Sequence, residues 1–298
     1  MEKALQILTE AGIDVERDCP LSKHSSFHIG GKATAAAFPR TLEQALTLLR
    51  ELKREGVPFL VMGNGTNVVF PDEGYQGVVL FTSRMRGEKC LGDTLCLEAG
   101  VSMRRAAILA REHSLSGLEF AYGIPGTVGG GVFMNAGAYG QEMGQICLRS
   151  EYFDPDTGAF AALEGEEQGF SIRSSIYQRH PERVILRATL KLTRGDSVAI
   201  GARMEEQQER RRSTQPLEYP NAGSIFKRPK DDYAGRLIEI CGLKGTRIGG
   251  AEVSTKHAGF IVNRGGATAH DVRELVELVR QRVLASTGVL LECEIQFI

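Results

Sequence analysis

Gly123-Ile124-Pro125-Gly126-Thr127-Val128-Gly129-Gly130-Gly131-Val132-Phe133-Met134-Asn135-Ala136-Gly137-Ala138-Tyr139-Gly140 holds seven glycines, one proline and no charged side chain. A segment this bare and this apolar is no ordinary surface loop, because missing side chains let something approach the backbone closely. Backbone N–H groups cleared of side chains form concave donor arrays that suit phosphate oxygens. Two readings follow: a cradle for a nucleotide cofactor, or a buried glycine-rich turn between core elements. A second stretch favours the cradle. Val61-Met62-Gly63-Asn64-Gly65-Thr66-Asn67-Val68-Val69-Phe70 runs from an apolar strand through a small-polar turn into another apolar run. Two such turns suit a grip on one extended ligand from both sides.

The 298 residues predict one large or two medium domains. Lys and Arg number 36 against 37 Asp and Glu. No global charge therefore recruits nucleic acid or an anionic membrane, and an anionic ligand must be held by local groups. The first eighteen residues carry Glu2, Glu10, Asp14, Glu16 and Asp18 and no apolar signal core, and no later run is long enough to span a bilayer. A soluble cytoplasmic protein is the expectation. Cys19, Cys90, Cys96, Cys147, Cys241 and Cys293 include no C-x-x-C pair, so reduced thiols are expected. His24 and His28 stand four apart, but Ser25-Ser26-Phe27 and Ile29-Gly30-Gly31 read as extended chain, and no metal site is expected.

Outward from the glycine turns, Met1 to about Gly12 reads as a helix with Leu5, Ile7 and Leu8 on one side, and Ser25 to Ala33 as strand, turn, strand. Thr41 and Gln44 form a capping-box pattern ahead of a helix that Gly56 stops. The Gly63–Asn67 turn follows the second strand of this β-α-β start, whereas a dinucleotide fingerprint sits between the first strand and its helix. Ser102 caps a helix reaching about His113, hairpins follow Tyr139-Gly140, and Val184 to Leu192 forms a long strand. Arg194-Gly195-Asp196 reads as a domain boundary, and Ser197 opens a polar helix ending in Arg210-Arg211-Arg212. Beyond it lie a bare Pro220-Asn221-Ala222-Gly223-Ser224 turn, a short helix with Leu237, Ile238 and Ile240 inward, and a strand from Gly259 to Asn263. Thr268 caps an amphipathic helix through Val272, Leu275, Val276, Leu278, Val279 and Val283, stopped by Gly288, and Val289 to Ile298 closes as a strand. Mixed content throughout argues an α+β fold.

Taken in order, Phe27-His28-Ile29-Gly30-Gly31, Gly63-Asn64-Gly65-Thr66-Asn67, Gly123 to Gly130, Asn135 to Gly140, Pro220 to Ser224, Lys256-His257-Ala258-Gly259-Phe260 and Leu291-Glu292-Cys293-Glu294 resemble the UDP-N-acetylenolpyruvoylglucosamine reductase (UDP-N-acetylmuramate dehydrogenase) family of bacterial cell-wall synthesis. Each motif is weak alone; their joint order from about Ser25 to Ile295 is specific. The absence of an insertion after Arg173 resembles the shorter class. The resemblance implies a vanillyl-alcohol-oxidase-type FAD-binding region over residues 1–195, with α+β subdomains at about 20–85 and 86–195, and a C-terminal α+β substrate-binding domain over 196–298. It implies an oxidoreductase in which NADPH reduces FAD and the reduced flavin reduces UDP-N-acetylglucosamine enolpyruvate to UDP-N-acetylmuramate. Small-molecule partners are expected and a monomer is expected. Flavin contact falls to Gly63, Asn64, Gly65, Thr66, Asn67 and Val68, and to Gly123, Ile124, Pro125, Gly126, Val128, Gly129, Asn135 and Ala138.

Hydride addition to the vinyl carbon throws charge onto its neighbour and the carboxylate, so an enolate-like species must be held and then protonated. Ser224 matches the family's proton donor, while Arg173 and Glu294 match the pair that binds and polarises the carboxylate. A guanidinium suits a planar carboxylate, and Glu294 beside a developing anion is expected to carry a raised pKa. Asn221, Lys227 and Arg228 are further substrate candidates. The plain alternatives are a Ser224 that bonds its own turn, an Arg173 in a surface ion pair and a solvated Glu294. Many members place tyrosine before the arginine where this chain has Ile172, which removes a hydroxyl from the pocket and predicts a weaker substrate grip. The competing functions are another flavoenzyme of the same fold, such as an alcohol or sugar oxidase, and a non-catalytic nucleotide-sugar-binding relative.

Overall fold

A computed structural model describes residues 1–298. The chain forms two compact units: Met1–Asp18, Thr34–Asn64 and Gln76–Glu209 make the first, and Cys19–Ala33, Gly65–Tyr75 and Arg210–Ile298 the second. Helices and strands are mixed in both, the α+β content expected from the pattern.

In the first unit, helices Glu2–Glu10 and Leu42–Arg54 bury Leu5, Leu8, Leu48, Leu49 and Leu52 against Val78 and Leu80. The four-stranded sheet beneath them has the order Asp14–Pro20, Lys32–Phe38, Tyr75–Phe81, Phe59–Met62. Phe59–Met62 pairs parallel to Tyr75–Phe81 with Met62 opposite Phe81, so the chain leaves the strand end directly into Gly63. The Thr41 hydroxyl accepts the Gln44 amide, as the pattern predicts, but the Gln44 side chain accepts the Arg40 amide, one residue before the expected partner. A five-stranded antiparallel sheet follows, ordered Phe160–Glu164, Cys147–Phe153, Val184–Lys191, Thr94–Glu98, Glu88–Leu91. Helices Met103–Glu112 and Val128–Phe133 share its core through Ala106, Val128 and Val132.

The second unit is built on the antiparallel sheet Asn221–Ser224, Phe260–Asn263, Ala251–Val253, Arg247–Ile248. Helices Ala234–Ile240 and Ala269–Thr287 cover it, burying Leu237, Val272, Leu275 and Val279 with Val253 and Ile261. The start of the long helix is fully capped: Thr268 and Asp271 satisfy each other's amides, and the Asp72 carboxylate accepts from Ala269 and His270. Gly288, at φ 74°, closes its end in the left-handed form that favours glycine.

Several expectations are corrected. Ser25–Gly31 is not a strand: a 3-10 turn over Leu21–His24 leads into irregular chain with His28 at φ 57° and Gly30 at φ 132°, and regular pairing begins at Lys32. These backbone angles are incompatible with a pleat, and period-two alternation does not report them. Val289–Ile298 is strand only at Gln296–Phe297, parallel to Val68–Val69. Pro220–Ser224 is a bulged strand from Asn221, not a free turn. Ile240 is 59% exposed, because the helix of Ala234–Ile240 ends before a second inward turn.

The irregular segment is pinned by Asn263, whose buried amide donates to the Phe27 carbonyl at 3.0 Å and accepts from Gly265 and Ala267 at 2.9 and 3.2 Å. Asn263→Ala strands three backbone groups and is expected to cost about 2–3 kcal/mol. A shift of the urea midpoint without a change in slope measures it; an unshifted midpoint contradicts this role.

Candidate functional site

The Gly63 turn is a run of unspent donors. The amides of Gly63, Asn64, Gly65, Thr66 and Asn67 donate to no acceptor in the protein. The turn bends at Gly65, with φ 60°, where a Cβ would stand 2.1 Å from the His24 carbonyl oxygen. Only glycine lets the 24–31 segment lie against it. Gly31 repeats the device, its Cβ position lying 2.3 Å from the Asp72 carbonyl oxygen.

In the first unit the two glycine-rich turns touch. A Cβ on Gly63 would meet the Thr127 hydroxyl at 2.4 Å, and the Asn64 side-chain amide donates to the Pro125 carbonyl at 3.1 Å. The donor array expected along Gly123–Gly140 is, however, largely absent. Val128 donates to Val101, Gly129 to Ala99, Gly130 to the Thr127 hydroxyl and Gly131 to Thr127. Glycine serves close packing there, since a Cβ on Gly129 would lie 2.7 Å from that of Ala99 and one on Gly131 2.8 Å from the Met103 sulfur. Gly123, Ile124, Pro125 and Gly126 lie at the unit's surface, with Ile124 bonded back to Ala121. Ala138 pairs with Gln141 in a small hairpin.

Asn135 is fully buried at φ 44°, its side chain donating to Ser171 at 2.9 Å and accepting from Gly144 at 2.7 Å. Its side chain thus holds the turn that carries Arg173. Ser171 and Ser174 bond each other's backbone both ways, leaving Ile172 and Arg173 at the tip, Arg173 at φ 54° and Ile172 77% exposed. The Arg173 guanidinium donates to the Gly137 carbonyl at 2.8 Å, and Gln178 holds the Arg173 carbonyl at 2.9 Å. The arginine is thus half-buried and braced, with its backbone in a conformation uncommon for a side-chain-bearing residue.

In the second unit Ser224 and Glu294 are brought together. Phe226 bridges Cys293 antiparallel, the Glu294 amide donates to Ile225 at 2.8 Å and the Lys227 amide to Glu292 at 2.8 Å, so the two motifs run side by side. The Val68–Val69 strand joins the same construction. The Asn67 side chain donates to the Glu294 carbonyl at 3.2 Å, and Gln296 donates back to the Asn67 carbonyl at 3.0 Å. Ser224 is exposed and its hydroxyl has no protein partner, against the reading that it bonds its own turn. Glu294 is half-buried. Burial pushes the neighbouring Cys293 thiol above its ordinary value.

The remaining candidates divide differently. The Asn221 side chain is spent on its own turn, donating to Tyr219 and accepting from Gly223. Lys227 is paired with Glu292 at 2.7 Å, and Arg228 stacks on the Tyr233 ring at 4.1 Å. Sequence reasoning missed Ser26, Gln178 and Tyr122. Tyr122 precedes Gly123, is buried, and has its hydroxyl between Arg104 at 2.5 Å and Glu205 at 3.2 Å. Tyr122 directly precedes Gly123 and Ser26 lies just before the Phe27–Gly31 motif, which is the only signal those two offered; nothing in the local sequence singles out Gln178. All six cysteines are free thiols, as expected.

Comparison with known proteins agrees with this geometry. Residues 33–160 match the family described as FAD binding domain, and residues 215–298 match UDP-N-acetylenolpyruvoylglucosamine reductase, C-terminal domain. The UDP-N-acetylenolpyruvoylglucosamine reductase of Caldanaerobacter subterraneus subsp. tengcongensis is 43% identical over 298 residues, covering 100% of this chain and 97% of its own. That of Thermotoga sp. strain RQ2 is also 43% identical, over 99% and 97%. The solved structure of the reductase from Thermus caldophilus superposes with a TM-score of 0.79 at 35% identity, covering 96% and 98%. Alkyldihydroxyacetonephosphate synthase, at 15% identity and a TM-score of 0.50 over 65% of this chain and 44% of its own, shares the fold.

An adenine dinucleotide's pyrophosphate needs N–H donors and room for close approach, and the open amide run at a turn where a Cβ has no space provides both. Gly65→Ala forces φ 60° on a side chain and drives it into the His24 carbonyl. That strain, about 1–3 kcal/mol before the collision is counted, is expected to abolish flavin retention in the purified protein; a variant that keeps full flavin content refutes the close-approach reading.

Proposed function

The chain belongs to the UDP-N-acetylenolpyruvoylglucosamine reductase family, and from that membership we propose that it reduces UDP-N-acetylglucosamine enolpyruvate to UDP-N-acetylmuramate in peptidoglycan precursor synthesis. It is an FAD-dependent oxidoreductase with NADPH as reductant. The observation that carries the proposal is the pairing of the Ser224 and Glu294 segments, with Asn67, the last residue of the open amide turn, bonded to the Glu294 carbonyl and the Gln296 amide. Bound FAD supplies hydride transfer from NADPH to the substrate's vinyl carbon.

The chain's own residues supply the rest. We assign Gly63–Val68 and the Gly123–Gly129 turn, with Asn135 and Ala138, to holding the cofactor. Arg173 binds the substrate carboxylate; the brace from Gly137 and Gln178 fixes its direction, which lowers the entropy lost when it engages. Glu294 polarises the same carboxylate as charge develops on it. Ser224 holds the proton at Oγ and delivers it to the carbon beside the carboxylate; a hydroxyl free of protein partners is available for that transfer. Lys227 and Arg228 face the diphosphate, and Asn221 contributes by shaping its turn. Flavin binding belongs to residues 1–195 with subdomains at about 20–85 and 86–195, and closure over substrate to 196–298. No helix is long and apolar enough to cross a membrane, and we assign the enzyme to the cytoplasm as a monomer.

Anaerobic NADPH is expected to bleach the flavin spectrum of the purified protein, and the enolpyruvyl sugar nucleotide to restore it. Restoration by a simple alcohol-derived carbonyl and not by the sugar nucleotide overturns the assignment. Ser224→Ala is expected to leave flavin reduction intact and slow reoxidation by about 10²–10⁴. Equal slowing of both half-reactions in a stopped-flow trace removes Ser224 from proton donation.

A further inference from the structure

Ser26 sits between the cofactor turn and the strand that carries Ser224. Its amide donates to the Gly65 carbonyl at 3.0 Å and its own carbonyl accepts the Asn221 amide at 3.1 Å. Its hydroxyl donates to the Asn221 carbonyl at 2.7 Å, with the Gly65 carbonyl a distant second acceptor at 3.4 Å. A hydroxyl has one proton, and the Gly65 oxygen already holds the amide, so the side chain is committed to Asn221. One residue thereby grips Gly65 with its amide and Asn221 with both its carbonyl and its hydroxyl. Three residues beyond Asn221 is Ser224, past a bulge in the pairing with Phe260–Val262 and a left-handed Gly223 at φ 80°. A bulged strand with an interior glycine has a weakly fixed register of its own. Beyond the bulge the strand is held at Ile225, by Gly259 and Glu294; before it, the Asn221 end is held from outside the ladder by Ser26.

We propose that Ser26 is a positioning residue for proton delivery: its hydroxyl fixes the Asn221–Ser224 strand relative to the Gly65 turn, and so sets where the Ser224 Oγ stands relative to the cofactor. The inference rests on the proposed function for its catalytic consequence. The clamp itself is a property of the folded chain without cofactor. A hydroxyl at residue 26 is what the geometry requires; threonine retains it and alanine does not. Because the backbone bonds of residue 26 survive either substitution, the fold and the cofactor turn persist in both variants.

The test compares Ser26→Ala and Ser26→Thr in the full-length protein by two readouts. In the apoprotein, hydrogen exchange of the peptide spanning residues 217–226 is expected to speed up about tenfold in Ser26→Ala, the effect of one lost hydrogen bond of ordinary strength, and to stay at the parent rate in Ser26→Thr. In the flavin-loaded protein, Ser26→Ala is expected to keep its flavin and its rate of reduction by NADPH while reoxidation by the enolpyruvyl sugar nucleotide slows about tenfold, and Ser26→Thr to restore it. Unchanged exchange in Ser26→Ala overturns the clamp. Faster exchange with unchanged reoxidation overturns the positioning role, and equal slowing of both half-reactions, or loss of flavin, makes Ser26 a cofactor-binding residue instead. If the parent protein itself fails to reoxidise with the sugar nucleotide, the proposed function falls, while the exchange measurement still decides whether the clamp exists.

Discussion

The second unit depends on a close approach: the His24 carbonyl lies where a side chain on residue 65 would have to be. Because Gly65 has no Cβ, the irregular 24–31 segment can lie against the 65–74 segment. Ser26 then reaches Gly65, Gly30 clears the Phe70 side chain and Gly31 clears the Asp72 carbonyl. From this contact the rest follows in order. Phe27 and Ile29 enter the second unit's core, Asn263 takes the Phe27 carbonyl, and Asp72 caps the long helix of that unit. A core, a cap and a turn with open amides are thus joined by one absent methyl group.

The two glycine-rich turns look alike as sequence and do opposite things with their backbones. At Gly63–Asn67 the amides are left unspent, and the turn is bent so that none of them can join a ladder. At Val128–Gly131 the amides are consumed by Val101, Ala99 and Thr127, and the missing side chains admit Ala99 and Met103 instead. Unsatisfied donors exposed at a turn are tolerable because water serves them until a ligand does; buried ones must be paired. Burial separates the two turns only in part: Gly129 and Gly131 are buried and paired and Asn64 is exposed and open, but Gly65 is buried with its amide open and Gly130 is exposed with its amide on the Thr127 hydroxyl.

The residues assigned to chemistry are supported unequally by their surroundings. Arg173 is held in an uncommon backbone conformation by a chain of bonds through Ser171, Asn135, Gly137 and Gln178. Ser224 has no such brace on its own side chain and takes its position from its strand, held at Asn221 by Ser26 and at Ile225 by Gly259 and Glu294. Glu294 is held by its backbone, between Ile225 and Asn67. Arg173 is thus braced through its side chain, and Glu294 through its main chain.

The sequence by itself determined the family and the capped helices, but not Val128–Phe133 within the glycine-rich stretch or Ile176–Arg179. Thr41, Ser102 and Thr268 accept the amides their spacing announces, and Gly56 and Gly288 stop their helices in the left-handed form. Capping is local, acting over three or four residues, so it is written in local sequence. The order of motifs carried the flavin chemistry in the same way. Tertiary structure alone decided which amides stay open, that Ser25–Gly31 is irregular, that Val289–Ile295 is not strand, and that Ser224 and Glu294 lie on paired segments. Those facts depend on distant partners, as Gly65 and Asn221 are 39 and 195 residues from Ser26, and no local pattern records a contact made over that distance.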